Sequence, residues 1–124
     1  MDKCIFCSLE QKDLVGSNNY CSAFWDAYPV TPLHALVVPP RHVRDYFDLT
    51  QDELLASDAL IKEICSLVRP TDSSVAGFNI GVNIGETAGQ SVFHCHFHII
   101  PRRVGDQVNP RGGIRNIFPG KGDY

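Results

Sequence analysis

The 124-residue sequence predicts an α+β protein, one mostly antiparallel sheet carrying one or two helices. Three observations predict it. Two stretches, "GFNIGVNIG" (77–85) and "SVFHCHFHIIP" (91–101), alternate in the period-two pattern of strands. A longer segment, "DLTQDELLASDALIKEICSLVRP", repeats its apolar residues with the period of a helix. "HALVVP" (34–39) is a short apolar run ended by Pro39 and Pro40, the form of a buried strand.

In the helical segment Thr50 is followed three residues later by Glu53, a capping box that satisfies the free N–H groups of a helix start. Leu54, Ile61, Ile64 and Val68 fall on one face as a core stripe, and Pro70 closes the segment. In 77–85, Phe78, Ile80, Val82 and Ile84 point one way, and Asn79, Gly81 and Asn83 the other. The turn "ETAGQ" then leads into the second alternating stretch, so the pair reads as an antiparallel hairpin. There, His94, His96 and His98 share one face, and Phe93, Cys95, Phe97 and Ile99 the other. If the apolar faces pack on the helix, the asparagines lie beside the histidines.

Length bounds the chain to one domain, 1–124, with a core to about residue 104 and a Gly/Pro/basic tail over 105–124. The apolar fraction of 44% and charged fraction of 20% are those of an ordinary soluble protein. No apolar run approaches the roughly 18 residues that span a bilayer, and "MDKCIFCSLE" lacks a signal-peptide core. A cytoplasmic protein without a membrane partner is therefore expected. The five cysteines are odd in number and irregular in spacing, which argues for reduced thiols, some bound to metal. The net charge of −3 excludes a general polyanion binder, and nucleic acid is disfavoured because the basic residues are too few. Residues 102–121 nevertheless carry Arg102, Arg103, Arg111, Arg115 and Lys121 against one acid, Asp106. That run is either a solvated tail or a small anion site suited to guanidinium forks.

Three of the chain's five histidines stand within residues 94–98. As one metal site they are awkward, since three histidines along a strand span roughly 13 Å by strand rise. They could also be hydrogen-bonded histidines without further role. The third reading is direct chemistry. A neutral imidazole is a good nucleophile once its second nitrogen is locked as a donor. His96, flanked on both sides, is the best oriented of the three.

"HCHFHII" resembles the His-x-His-x-His-x-x pattern of the histidine triad (HIT) family of nucleotide hydrolases and transferases. "AGQSVFHCHFHIIPRRVGD" and "DYFDLTQDEL" resemble its fragile-histidine-triad, dinucleoside polyphosphate hydrolase branch. "TPLHALVVPPRHV" is similar to the upstream strand of the wider family, and "CSAFWD" to its nucleoside-contacting strand. The resemblance implies a sheet of about five strands with one main helix and a shorter one, the sheets joined across a homodimer. It implies that His96 attacks an α-phosphate and carries a nucleotidyl-imidazole intermediate that water cleaves. His98, Gln90, Ser91 and Asn83 would supply donors to the phosphoryl oxygens, and His34 and His94 would complete the catalytic set, His34 fixing tautomers. Asp26 would hold the ribose hydroxyls of a purine nucleotide, and Ile5, Phe6, Leu9, Phe24 and Ala27 would wall the base. His98, where transferase branches carry glutamine, points to water as acceptor.

"CIFC" places Cys4 and Cys7 at the spacing of half a zinc site, which by itself is equally a redox pair or chance. Some bacterial members and distant uridylyltransferase relatives resemble the chain in this pair, completed by a histidine after the upstream strand and the first triad histidine. Here those are His42 and His94, and the implied zinc is structural. The pair and the "PPRH" histidine look more like general bacterial members than the fragile-histidine-triad branch, which leaves two substrate classes. One is a dinucleoside polyphosphate such as diadenosine tetraphosphate, with a divalent cation such as magnesium carried by the substrate and Arg102, Arg103 or the tail arginines on the distal phosphates. The other is a nucleoside 5′-phosphoramidate. A nucleotide sensor with slow turnover is the non-enzymatic alternative.

Overall fold

The protein is described here by a computed structural model covering residues 4–124. Five strands, β1 (Gly16–Ser17), β2 (Ser22–Trp25), β3 (Ala35–Val38), β4 (Val75–Val82) and β5 (Phe97–Arg103), form one sheet in the order β1-β2-β3-β5-β4. Every neighbouring pair is antiparallel. One α-helix, α1 (Gln51–Thr71), lies against one face. Among the described residues the remaining helical pieces are short 3₁₀ segments, the longest Gly113–Ile117.

Helix α1 begins as expected: the Thr50 side chain accepts from the Glu53 N–H at 3.1 Å and Glu53 accepts from the Thr50 N–H at 2.9 Å. It does not stop at Pro70, which sits inside the last turn. A proline there removes only one late backbone bond, and Asp72 N–H still reaches the Val68 carbonyl at 3.0 Å. The buried stripe also differs from expectation. Leu60, Ile61, Ile64 and Val68 are buried, but Leu54 is not, and the polar Glu53 and Ser57 take the inward positions above it. Both are satisfied, Glu53 by the Arg41 guanidinium at 2.7 and 3.0 Å and Ser57 by Cys21 and the Glu53 carbonyl.

The strands sort their residues by parity. Ala23, Ala35, Val37, Phe97 and Ile99 join the helix-side core, while Phe24, Leu36 and Val38 meet Phe6 on the opposite face. Strand register carries one row of residues across that opposite face, Phe24, Leu36, His98 and Gly81 in order. Phe78 and Val82 pack toward the core, as their alternation predicts, but Ile80 is half exposed.

The hairpin differs more. β4 ends at Val82 and β5 begins at Phe97, so the connection is not the short turn "ETAGQ" but residues 83–96. Gly85 (φ 90°) and Gly89 (φ 94°) take positive-φ conformations around the 3₁₀ turn Glu86–Ala88. His94 and His96 therefore stand on irregular backbone. The predicted division of faces survives even so, with Cys95 in the helix-side core and His94 and His96 both against Phe6. Residues 105–124 fold back along the sheet, where Gly113 approaches the Asn79 side chain. Among the described residues no helix is long and apolar enough to cross a membrane.

Candidate active site

The row from Phe24 to His98 floors a cleft of about 650 Å³. Phe6, Phe24 and Leu36 give it an apolar wall, and His96, His98 and Asp26 give it a polar end. The Phe6 ring stands 5.4 Å from Phe24 and 5.0 Å, edge-on, from His96. Apolar walls with a few convergent polar groups are the usual make-up of a small-molecule site.

Hydrogen bonds fix the proton on each imidazole. His96 Nδ1 lies 2.8 Å from the His94 carbonyl, which can only accept, so Nδ1 carries the proton and Nε2 keeps a lone pair. His34 works in the other sense. Its Nδ1 accepts from the Val30 N–H at 3.2 Å, so its proton is on Nε2, 3.0 Å from His98 Nδ1. His98 must then accept at Nδ1 and carry its own proton on Nε2. The cleft thus holds one imidazole with a free lone pair and one with a free donor, their ring centres 5.1 Å apart. Burial, then the neighbouring His96 and His34, pull His98 down to a pKa of about 4, against the opposing charge of Asp26. His34, nearly fully buried, is likewise lowered by burial and partly restored by Asp26.

The backbone aims His34. Leu33, the residue before it, is in the left-handed region at φ 69°, the one non-glycine there among the described residues. Such strain persists only where the surroundings impose it and concentrates at functional sites. Asp26, just past β2, accepts from the Tyr28 N–H at 2.9 Å and lies 3.4 Å from His34 Nε2. Asp26, His34 and His98 are close enough to resemble a metal site, but the nitrogen that His34 turns inward bears its proton.

His94 turns away from the cleft. Its Nε2 donates to the Pro39 carbonyl at 2.7 Å, leaving the Nδ1 lone pair toward the sulfurs of Cys4 (3.3 Å) and Cys7 (3.4 Å). His42 Nδ1 lies 3.2 Å from the Cys7 sulfur. Ligand atoms of all four residues fall within 4.8 Å of one another. A tetrahedron of zinc bonds sets Cys and His donors roughly 3.3–3.8 Å apart, so the four fit such an ion, with the His94 tautomer fixed by a backbone carbonyl behind it. Since His94 and His96 diverge, the triad does not form a metal site of its own.

Of the other expected residues, Ser91, Ile5, Leu9 and Ala27 line the cleft. Asn83 is not among the lining residues. Gln90 is buried and committed to the backbone: its oxygen accepts from the Gly85 N–H and its amide donates to the carbonyls of Arg44 and Val92. It braces the loop that carries the histidines. Arg102 is held by Asp106 and Asn79, and Arg103 by Asp72, Ser74, Thr31 and the Pro32 carbonyl. Neither guanidinium is free for distal phosphates. Arg102, Asp106 and Arg111 instead border a separate cavity of about 700 Å³ under the tail that contains no histidine. Sequence reasoning missed Asp13, Leu36, Trp25, Tyr28 and Val92 as cleft residues. Leu36 alone had a signal, its alternation with Val37 within an otherwise uniformly apolar run.

The single sheet thus presents locked imidazoles at one end of an apolar cleft. Residues 9–105 match the family model of the HIT domain, and the chain belongs to that family. A HIT-like protein of Saccharolobus solfataricus is 40% identical over 108 residues, covering 79% of this chain and 73% of that one. An asymmetrical bis(5′-nucleosyl)-tetraphosphatase of Schizosaccharomyces pombe is 39% identical over 85 residues, 68% of this chain but 46% of the relative. Among solved structures, a zinc-bound histidine triad family protein of Mycobacterium smegmatis superposes with a TM-score of 0.76 at 31% identity, covering 86% and 79% of the two chains.

Proposed function

We propose that this protein is a nucleotide hydrolase that cleaves at an α-phosphate through a covalent intermediate on His96, with dinucleoside polyphosphates as its substrates. The observation that carries the reading is the 2.8 Å bond from His96 Nδ1 to the His94 carbonyl, which leaves Nε2 as an in-cleft nucleophile. The base lies along the apolar wall that Phe6, Phe24 and Leu36 form, and Asp26 accepts from the ribose hydroxyls. Nε2 attacks phosphorus, the bond to the leaving phosphate oxygen breaks, and the resulting imidazolium is steadied through Nδ1–H by the His94 carbonyl. Water then attacks phosphorus, the P–N bond breaks, and the water's proton passes to solvent. His98 donates from Nε2–H to the phosphoryl oxygen, with Ser91 beside it.

The polyphosphate is favoured over a phosphoramidate by the state of His98. Held neutral by burial, it donates a hydrogen bond but is a poor source of a whole proton. A polyphosphate departs as an anion without one, whereas an amine needs one to leave. The similarity to a bis(5′-nucleosyl)-tetraphosphatase supports the same reading. A cation such as magnesium would travel on the substrate's phosphates. The Cys4, Cys7, His42 and His94 cluster would hold zinc, which supplies a fixed crosslink between the N-terminal segment and the sheet, and the chain would act as a homodimer.

The test is parallel turnover of diadenosine tetraphosphate and adenosine 5′-phosphoramidate. The expected result is at least a tenfold higher kcat/KM on the polyphosphate, about 1.4 kcal/mol in transition-state binding. A preference for the phosphoramidate reverses the substrate class, and turnover undiminished in His96→Ala removes the nucleophile.

A further inference from the structure

Cys4 and Cys7 bracket Ile5 and Phe6, and both of these line the cleft. The segment from Cys4 to Leu9 belongs to no strand or helix. Its backbone bonds are local, Cys7 N–H to the Cys4 carbonyl and Ser8 N–H to the Ile5 carbonyl. Among the described residues, each of its polar contacts with the rest of the chain runs through the two thiols, to His94 and His42. Phe6 supplies its one buried apolar contact, against Phe24, His94 and His96, with Leu9 partly buried beside the same cluster. One wall of the cleft is therefore a short segment secured at two points by the four-donor cluster and between them by an aromatic ring on the nucleophile. His94 joins the two places a second way, its ring at the thiols and its carbonyl on His96.

We propose that the cluster and the cleft are thermodynamically linked. Zinc held by Cys4, Cys7, His42 and His94 seats Phe6, and so raises the affinity of the cleft for a purine nucleotide; the nucleotide raises the affinity of the cluster for zinc by the same factor. The inference rests on the nucleotide and zinc readings above. Its physical basis is the entropy of ordering Cys4–Leu9, which whichever ligand binds first has already overcome for the second. Equality of the two factors is required by linkage, and couplings of this kind are typically about fivefold to about 150-fold.

The test uses the full chain, zinc-loaded or stripped by a chelator, with adenosine 5′-monophosphate as the nucleotide. Trp25, the single tryptophan, lines the cleft and reports binding by fluorescence. Zinc affinity is read by competition with a chromophoric chelator, with and without saturating nucleotide. The expected result is a gain of about fivefold or more in nucleotide affinity with zinc, and an equal gain in zinc affinity with nucleotide. Phe6→Ala should still bind zinc but bring both factors toward one, with Phe6→Leu between. Hydrogen exchange should show the Cys7 and Ser8 amides losing protection without zinc and regaining it with nucleotide, while α1 stays protected.

Equal nucleotide affinity in the two forms, no zinc binding, or full linkage retained in Phe6→Ala would each overturn the proposal. So would loss of protection in α1 together with the segment, because the linkage would then be global folding. A loaded chain that binds no nucleotide defeats the hydrolase reading as well, whereas nucleotide binding indifferent to zinc defeats the linkage alone.

Discussion

His94 and His96 are the same residue type two positions apart on the same loop, yet they face different chemistry. His94 donates from Nε2 to Pro39 and turns Nδ1 to the thiols; His96 donates from Nδ1 to His94 and turns Nε2 to the cleft. Each is locked by a backbone carbonyl, and the choice of carbonyl decides which nitrogen is left. Which nitrogen is left free is set by the carbonyl each ring meets, Pro39 just past β3 for His94 and His94 itself for His96, a choice that the His-x-His spacing does not contain.

The comparison breaks most sharply at His96. With His96 as the proposed nucleophile, His96→Ala should lower kcat by about 10⁴-fold or more, the scale seen when a covalent catalytic group is removed. The same His96→Ala protein should keep its zinc stoichiometry. His94→Ala should lose the zinc and, with it, the ring behind Phe6. Chelation tests that side alone: a site saturated about 1,000-fold above its Kd contributes about 4 kcal/mol to stability, so stripping should lower the Tm of the wild type and leave the Tm of a Cys4→Ser/Cys7→Ser protein unmoved. Equal Tm losses in both proteins would mean that the cluster does not hold the ion.

Within the cleft, His98→Gln should lower kcat by about 10²- to 10³-fold, the usual loss on removing one donor to a developing oxyanion, with little change in KM. An equal rise in KM would instead make His98 a ground-state binding group. Gln90 offers a smaller effect of another kind. Gln90→Leu strands the Gly85 N–H and the Arg44 carbonyl and should cost about 1–3 kcal/mol in urea unfolding. If stability holds and kcat falls, its amide acts on substrate rather than on the loop.

How far these roles were legible follows from the distance over which each is fixed. The Thr50–Glu53 cap is local, and it stands in the structure as the sequence has it. The alternation of 93–99 fixed the faces of His94, His96 and His98, because parity needs only neighbours. The start of β5 was not legible, since residues 83–96 are held by bonds such as Gln90 to Arg44 and Cys95 to Val43 that no spacing announces. Leu54 was displaced from the core stripe by Glu53 and Ser57, polar residues made tolerable there by Arg41 and Cys21. Within the basic run only Asp106 is an acid, and the other partners of Arg102 and Arg103, Asn79 and Asp72, lie on distant parts of the chain that the run does not announce. The convergence of Cys4 and Cys7 with His42 and His94 came from family resemblance, and residue spacing alone left it open.

The smallest expected effect is on the pH dependence of stability. Burial lowers His98 to about 4 and lowers His34 and His94 in the same direction, while an unfolded histidine titrates near 6.5. As pH falls below about 6.5 the unfolded chain takes up protons that the folded chain refuses, so stability should decline toward pH 4 and level off as His98 itself titrates. The carboxylates act lower. Asp72, held down to about 2 by Ser74 and Arg103, stabilises the fold above its unfolded value and loses that contribution as pH drops through about 2. Thermal melts from pH 7.5 to pH 4 should therefore show a histidine-driven decline well separated from acid unfolding. His98→Asn should make it shallower by removing the cleft's share, whereas zinc loading should steepen it, because the ligands must be deprotonated to hold the ion and the folded chain then refuses protons more strongly. Superimposable curves for wild type and His98→Asn would mean that His98 is not held neutral, and the preference for a leaving group that needs no proton would lose its physical basis.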